Sequence, residues 1–473
     1  VLLFVRLVMI KFGTSGWRAV MGEEFTFQNV RIVVQAIANY LKKRFDSRIS
    51  VIVNYDTRFL SDRFASEAAK VLSHNRIHVY LTERDAPSQA QAFQIISRKA
   101  QGGINFTASF NPSEYNGLKF NGETGAPALP EVTDQIEEEI KDLSSQYSSC
   151  PYYSKSEFIE KIDLQHEYLD DIQKKIDFDV IRKSGIKIGV DLLYGTSREY
   201  LDEILEENHI PIEELHGYID PYFGGINPSC RSEDLWELKK TVKEKGCHMG
   251  IATDSDGDRF GVVDEKGMFV DPDLVLALLL EYLITRKKLK GGLGRSVATS
   301  HLLDKIGRNY NLKLYRTPVG FKYLADLFLR GKIVFGGEES ACLVVKGHLP
   351  EKDGIYAGLL VAEMISAEGK SLSELTRELF KKYGEKIREQ VKVDLTEKIE
   401  QKLKELIKNP PAEVGQRKVL STQDTDGIKF NFSDDEWMLL RFSGTVPAIR
   451  CYAEAGSKKE LKRLISSGLE LIS

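Results

Sequence analysis

The sequence predicts an α/β protein built from several domains. Three observations point there. Stretches of helical periodicity alternate with short apolar runs rich in Ile and Val, the pattern of a mostly parallel sheet covered by helices. The chain has 473 residues, about three or four domains at roughly 100–200 residues each. Loops rich in Gly, Ser, Thr and Asp follow the apolar runs, and open sheets bind ligands beyond the carboxyl ends of their strands. Hydrophobic residues make up 42% and charged residues 29% of the chain, which is ample core material. The net charge of -4 offers no basic field to recruit nucleic acid. Five cysteines without a CxxC pair point to a reducing, cytoplasmic setting without structural zinc.

Residues 1–10 are apolar except for Arg6. They are too few to span a bilayer and lack a small-residue cleavage site. Either Met9 is the true start, or a first strand begins near Leu2. The glycine-punctuated loop Lys11 to Arg18 follows, where backbone N–H groups and Arg18 suit an anion. The next elements are a helix over 29–44, a strand over 50–56 ending at Asp56, a helix over 61–73 and a strand over 77–81. Thr107-Ala108-Ser109-Phe110-Asn111-Pro112 is then a loop that exposes a hydroxyl, with Lys119 downstream as a nearby positive charge. It also reads as a simple surface turn.

A helix over 131–143 leads to a boundary at 144–151. A helical hairpin or long helix is expected over 156–176, and a strand over 186–191. Residues 220–228 form a long Pro/Gly-rich loop. Asp254, Asp256 and Asp258 stand at alternate positions around Gly257. Oxygen ligands clustered in this way suit Mg2+ or Ca2+, and a solvated acidic turn is the plainer alternative. A twelve-residue Ca2+ loop counted from Asp254 places Arg259 at its sixth position, where glycine is required. A metal bound partly by protein and partly by a substrate fits better.

A helix over 272–282, a strand over 296–299 and an anion-contact loop over 316–322 come next. Gly336-Gly337-Glu338-Glu339-Ser340 suits sugar hydroxyls or, equally, a capped turn. The helix over 355–365 is expected to be buried. The Lys/Glu-rich stretch 368–408 reads as a solvated face, with a domain boundary near 382–392. In the last unit, 427–432 pairs with 437–440, and 449–452 returns as a strand before a helix over 458–472. Arg441, Ser443, the Gly444 amide, Thr445 and Arg450 are placed to enclose a phosphate.

Five of these segments together resemble the α-D-phosphohexomutases, the phosphoglucomutase/phosphomannomutase family: Gly13 to Arg18, Thr107 to Pro112, Asp254 to Arg259, Gly337 to Ser340 and Arg441 to Thr445. The likeness runs from Phe12 to the end of the chain. It implies three similar mixed-sheet α/β domains and a smaller C-terminal α+β domain around a central cleft. The corresponding spans here are 1–150, 151–252, 253–385 and 386–473.

The resemblance also implies a reaction: glucose 1-phosphate and glucose 6-phosphate interconvert through phosphorylated Ser109 and a glucose 1,6-bisphosphate intermediate. Mg2+ then lies between Ser109 and Asp254, Asp256 and Asp258. Arg18, Lys119 and Arg259 line the transfer site, and Lys352 matches a lysine suspected in proton transfer. Thr317, Gly320, Glu338 and Ser340 contact the sugar. Arg441, Ser443, Gly444, Thr445 and Arg450 hold the distal phosphate. Glu338-Glu339-Ser340 is similar to the loop of glucose-preferring members. The implied partners are phosphorylated hexoses, with no nucleic acid or membrane, in a monomer or dimer.

Two departures stand out. Phe110 replaces the histidine usual after the reactive serine, and Val446 replaces a glutamate usual in the phosphate loop. They leave room for mannose, pentose or glucosamine phosphates as substrates, or for a low-activity protein that only binds phosphosugars.

Overall fold

The structure is a computed structural model and describes residues 10–46, 48–144, 156–444 and 447–473. It divides into two compact units. One holds the chain up to Val270 together with Gly347–Ser371, and the other holds Asp271–Lys346 and Leu372–Ser473.

The first unit contains two sheets. In the six-stranded sheet the spatial order is Trp17–Val20, Tyr115–Gly122, Gly102–Phe106, Ser50–Tyr55, His78–Thr82 and Ile159–Ile162. Gly102–Phe106 runs parallel to Ser50–Tyr55, whereas Tyr115–Gly122 returns antiparallel beside it. The five-stranded sheet repeats this plan. Met249–Thr253 is parallel to Ile188–Asp191, and Phe260–Val263 returns antiparallel. Both sheets are mixed, as the resemblance implies: the six-stranded sheet is parallel in three of its five pairings, close to what the alternation alone suggests, and the five-stranded sheet in two of its four.

The second unit contains a third mixed sheet. Gly292–Ser296 pairs parallel with Lys313–Thr317 and Phe335–Glu338, and Cys342–Val345 returns antiparallel. Its fourth sheet is wholly antiparallel, in the order Ile387–Asp394, Ala448–Ala455, Trp437–Phe442, Ile428–Asn431, Ser421–Gln423. The expected pairing of the strand near 428 with that near 437 is present. So is the last helix, Lys458–Ile472.

The topology explains why the loops of interest lie where they do. Three of them, residues 107–114, 254–259 and 339–341, each join two antiparallel neighbours, and Ser443 and Gly444 follow the strand that pairs antiparallel with Ala448–Ala455. A hairpin needs only a short connection, so its tip projects polar residues beyond the sheet edge.

Local chemistry accounts for the helices. Thr26 caps Phe27–Arg44 by accepting from the Asn29 amide at 3.2 Å, and Lys42, Lys43 and Arg44 occupy its last turn. Asp271 caps Pro272–Thr285, with Pro272 in the first turn. Asp353 caps the buried Gly354–Glu368 by accepting from the Tyr356 amide at 2.8 Å.

Two expectations are corrected. The helical hairpin over 156–176 is a short 3₁₀ turn, the strand Ile159–Ile162 and a helix His166–Lys175. The strand is chosen because Ile159–Ile162 pairs with the open edge of His78–Thr82. The strand expected at 296–299 is Gly292–Ser296, and the residues after it form a turn in which the Ala298 amide donates to Ser296 Oγ at 3.2 Å. The boundary expected at 144–151 begins at Ser144, the last residue of the helix Pro130–Ser144; the rest of it, and the readings on residues 1–9, lie outside the described residues. Among the described residues, no helix is long and apolar enough to cross a membrane. Cys230, Cys247, Cys342 and Cys451 are free thiols.

Candidate active site

The first unit brings together Ser109, Asp254, Asp256, Asp258, Lys119, Arg259 and Lys352. Asp254, Asp256 and Asp258 are buried, and each offers an oxygen within 4.8 Å of the others. Gly257 makes this possible: its φ of 72° closes a turn in which its amide donates to the Asp254 carbonyl at 2.9 Å. The three carboxylates curl around one point instead of alternating along a strand. Among the described residues this is the only group of three or more His, Cys, Asp or Glu side chains with metal-site geometry.

Ser109 donates its hydroxyl to Asp254 Oδ2 at 2.6 Å. Its backbone sits at φ 51°, in the left-handed region, a strain of about 1–3 kcal/mol that the surroundings must hold. Thr107 Oγ1 accepts the Ser109 amide at 2.9 Å, and Ser255 Oγ donates to the Ser109 carbonyl at 2.7 Å.

Arg58, which the sequence reading missed, completes the clamp. Its side chain is fully buried and pairs with Asp56 at 3.1 Å. It also donates to the carbonyls of Ser109, Asn111, Pro112 and Tyr115. Its only trace in the sequence is a charged pair, Asp56 and Arg58, straight after a buried strand.

Cations face the carboxylates. Lys119 reaches Asp258 at 2.6 Å and also pairs with Asp256. Lys352 lies 3.1 Å from Asp258 and donates to Glu351 Oε1 at 2.8 Å. Arg259 Nε meets Asp258 Oδ1 at 3.1 Å, and the Arg259 amide donates to Asp254 Oδ1 at 3.0 Å. Lys352 arrives here because the helix Gly354–Glu368 begins directly against the acidic loop. The Gly354 amide donates to the Gly257 carbonyl at 3.0 Å. A Cβ on Gly354 would stand 2.2 Å from the Arg259 carbonyl oxygen, so only glycine fits. Ser88 donates to Asp256 Oδ2 at 2.7 Å, which also fixes the loop.

The electrostatics are divided. Burial, then repulsion from Asp256 and Asp258, pushes Asp254 well above the usual carboxylate range. Burial also acts on Asp258, but Lys119, Lys352 and Arg259 outweigh it and hold that carboxyl down. For Lys352, burial is outweighed by Asp258 and Glu351, which keep it a firm ammonium. Asp256 Oδ1 is buried without a hydrogen-bond partner. A buried carboxylate oxygen left without a donor, beside two more carboxylates and a serine oxygen, fits a hard divalent cation that prefers oxygen.

Arg18 Nη1 donates to Asn111 Oδ1 at 2.7 Å, and its guanidinium lies 5.5 Å from the Phe110 ring centroid. Asn111 and Phe110 thus link Arg18 to the Ser109 loop.

The second unit holds the remaining predicted residues. Gly320 donates its amide to Glu338 Oε1 at 2.6 Å. Thr317 ends the strand Lys313–Thr317, and Ser340 contacts Cys342 Sγ at 3.6 Å. Arg441 and Arg450 are cross-strand partners, and Arg450 Nε donates to Ser443 Oγ at 3.3 Å. Gly444 is exposed at the hairpin tip, and Thr445 and Val446 lie outside the described residues. Asp426, also missed in the sequence reading, joins the two loops of this unit. Its Oδ2 accepts from Arg441 Nε at 2.8 Å and from the Val319 amide at 3.0 Å.

Nearly the whole chain matches four domain families in series. These are phosphoglucomutase/phosphomannomutase alpha/beta/alpha domains I, II and III at residues 9–147, 166–267 and 271–383, and the C-terminal domain at 390–467. A protein from Thermococcus kodakarensis named phosphoglucomutase/phosphomannomutase is 30% identical over 461 residues, covering 98% of each chain. A Pyrococcus abyssi protein named probable phosphoglucosamine mutase is 30% identical, over 98% of this chain and 97% of its own. The solved open form of parafusin, a phosphoglucomutase from Paramecium, has the same fold. Its TM-score is 0.81 at 24% identity, covering 98% of this chain and 94% of its own.

The four domain matches and the names of the relatives define the class of protein: a phosphohexomutase, an isomerase. The chain belongs to the phosphoglucomutase/phosphomannomutase family of α-D-phosphohexomutases.

Proposed function

We propose that this chain is a phosphoglucomutase, interconverting glucose 1-phosphate and glucose 6-phosphate through phosphorylated Ser109 and glucose 1,6-bisphosphate. The observation that carries the reading is the 2.6 Å hydrogen bond from the Ser109 hydroxyl to Asp254, inside a buried triad of carboxylates. Asp254, Asp256, Asp258 and the Ser109 oxygen hold Mg2+ in this reading. When bound, the ion neutralises charge on the phosphoryl oxygens and polarises the group for transfer.

The chain's own residues do the rest. In the forward half-reaction the bond between phosphorus and the Ser109 oxygen breaks, and a bond from phosphorus to the free sugar hydroxyl forms. The proton leaving that hydroxyl is balanced by the one that the Ser109 oxygen takes up. Lys119, Arg259 and Arg18 supply fixed positive charge to the phosphoryl group in flight. Lys352, kept as an ammonium by Asp258 and Glu351, adds fixed positive charge at the transfer point. Thr317, Gly320, Glu338 and Ser340 recognise the sugar. Arg441, Ser443, Gly444, Thr445 and Arg450 hold the phosphate that is not being transferred. The bisphosphate then turns over, and Ser109 takes back the other phosphate.

Mannose, glucosamine or pentose phosphates form a second reading, because relatives of equal identity carry mannose and glucosamine names. A coupled assay of glucose 6-phosphate formed from glucose 1-phosphate tests the proposal, with Mg2+ and a trace of glucose 1,6-bisphosphate. Turnover that Ser109→Ala abolishes supports it. Phosphorylated Ser109 without glucose turnover moves the substrate to another hexose. An unphosphorylated Ser109 in folded protein without turnover leaves only phosphosugar binding.

A further inference from the structure

Three guanidinium groups converge on the ring of Phe110, the residue next to Ser109. Arg18 lies 5.5 Å from the ring centroid, and Arg231 and Arg259 each lie 5.8 Å away. Arg259 has a carboxylate partner in Asp258 at 3.1 Å. Arg18 is bonded to a neutral amide oxygen of Asn111. Arg231 forms no salt bridge among the described residues. Of the two acids on its own loop, Glu233 and Asp234, neither pairs with it, and Asp234 accepts from Ser229 instead.

Arg231 is exposed, but its backbone is anchored. The neighbouring Cys230 is buried, with its thiol 3.7 Å from the Arg259 carbonyl oxygen to which it donates. The Leu235 and Asp234 amides both donate to the Arg231 carbonyl. The loop is therefore tied to the acidic motif, and its side chain is directed at the residue beside the reactive serine. An aromatic face holds guanidinium groups through its quadrupole without engaging their in-plane N–H donors. Like charges gathered in this way repel unless an anion joins them. The planar fork of donors on Arg231 matches the oxygens of a phosphate.

We infer that Arg231 is a phosphate-binding residue, completing with Arg18 and Arg259 a site for a phosphate dianion beside Ser109. This rests on the reading of Ser109 as the phosphoryl carrier. The dianion has two possible sources, the phosphoryl group on Ser109 or the free phosphate of a bound sugar. Phe110 serves as the apolar platform that holds the three guanidinium groups in one place.

The test is calorimetric titration of inorganic phosphate, in chloride buffer with Mg2+, into wild type and Arg231→Ala. Both proteins are prepared with Ser109 dephosphorylated and, separately, phosphorylated. Arg231→Ala is expected to weaken phosphate binding to the dephosphorylated protein at least tenfold, and Arg231→Lys by less. Loss of that binding when Ser109 is phosphorylated assigns the site to the phosphoseryl group. Persistence, with the same dependence on Arg231, assigns it to the phosphate of a free sugar. Phosphate binding within twofold of wild type in folded Arg231→Ala overturns the inference, as does a wild type that binds no phosphate. Wild type that binds phosphate through Arg231 yet turns over no hexose phosphate sinks the mutase reading and leaves this one standing.

Discussion

Arg58 is the residue whose removal tests the architecture of the Ser109 loop most directly. Its side chain is fully buried and pairs with the equally buried Asp56. It donates to the Asn111 carbonyl at 2.6 Å, to Pro112 at 2.7 Å, to Tyr115 at 3.1 Å and to Ser109. Arg58→Ala leaves a buried carboxylate without its cation, a loss of about 3–5 kcal/mol. Bonds from a charged donor to carbonyls contribute about 1.5–3 kcal/mol each, but they do not add, because water and loop relaxation replace part of them. We therefore expect a net destabilisation of about 4 kcal/mol, or a fall of roughly 10 °C in the unfolding midpoint.

The loop has a second response. Ser109 is held at φ 51°, and once Arg58 releases the carbonyls it relaxes to an ordinary backbone. Its hydroxyl then leaves Asp254, and the phosphorylation proposed for Ser109 is expected to be lost even in the fraction that stays folded. Thermal unfolding by fluorescence and mass spectrometry of Ser109 on the same samples read both effects. Arg58→Lys should fall between, since one ammonium has three donors and cannot span the same fork. An Arg58→Ala protein that melts within about 2 °C of wild type and keeps Ser109 phosphorylated would refute the clamp.

Three further outcomes follow from the geometry. Phe110→His should raise the turnover number, because a ring nitrogen adds a donor beside the phosphoryl group; an unchanged rate rules out the missing imidazole as a constraint. Asp426→Ala, which frees Arg441 and the Val319 amide, should raise KM for glucose 1-phosphate about tenfold, with Asp426→Asn recovering part of it. Equal KM values in all three proteins would show that Asp426 is not needed to place either loop. Burial, helped by Lys429 and Arg295, holds His301 neutral well below its ordinary value of 6.5. A base with a lowered folded pKa loses stability as pH falls through 6.5 and below, because the unfolded chain takes up the proton first. His301→Asn should flatten that part of the stability profile relative to wild type, and parallel profiles would remove His301 as the cause.

Much of the site is legible in the sequence because its motifs are local. Three carboxylates around Gly257, a serine between Ala108 and Pro112, and a glycine-flanked Glu-Glu-Ser declare their chemistry within a few residues. Helix positions are legible for the same reason, since caps and apolar spacing are short-range. Ile159–Ile162 was not legible, because four residues with two apolar ends suit a helix or a strand until an open sheet edge accepts them.

By itself, then, the sequence determined the groups on which the proposed chemistry rests: the serine at Ser109, the carboxylates Asp254, Asp256 and Asp258, and the order of α/β units that present them. Tertiary structure decided the partners. It set Lys119 against Asp256 and Asp258 from 137 and 139 residues away. It wrapped Arg58 around the Ser109 loop and turned Arg231 toward Phe110. Those pairings carry no local signature. Which cation meets which buried carboxylate follows from the strand order and from the cost of leaving a charge alone in the interior, and both exist only in the folded chain.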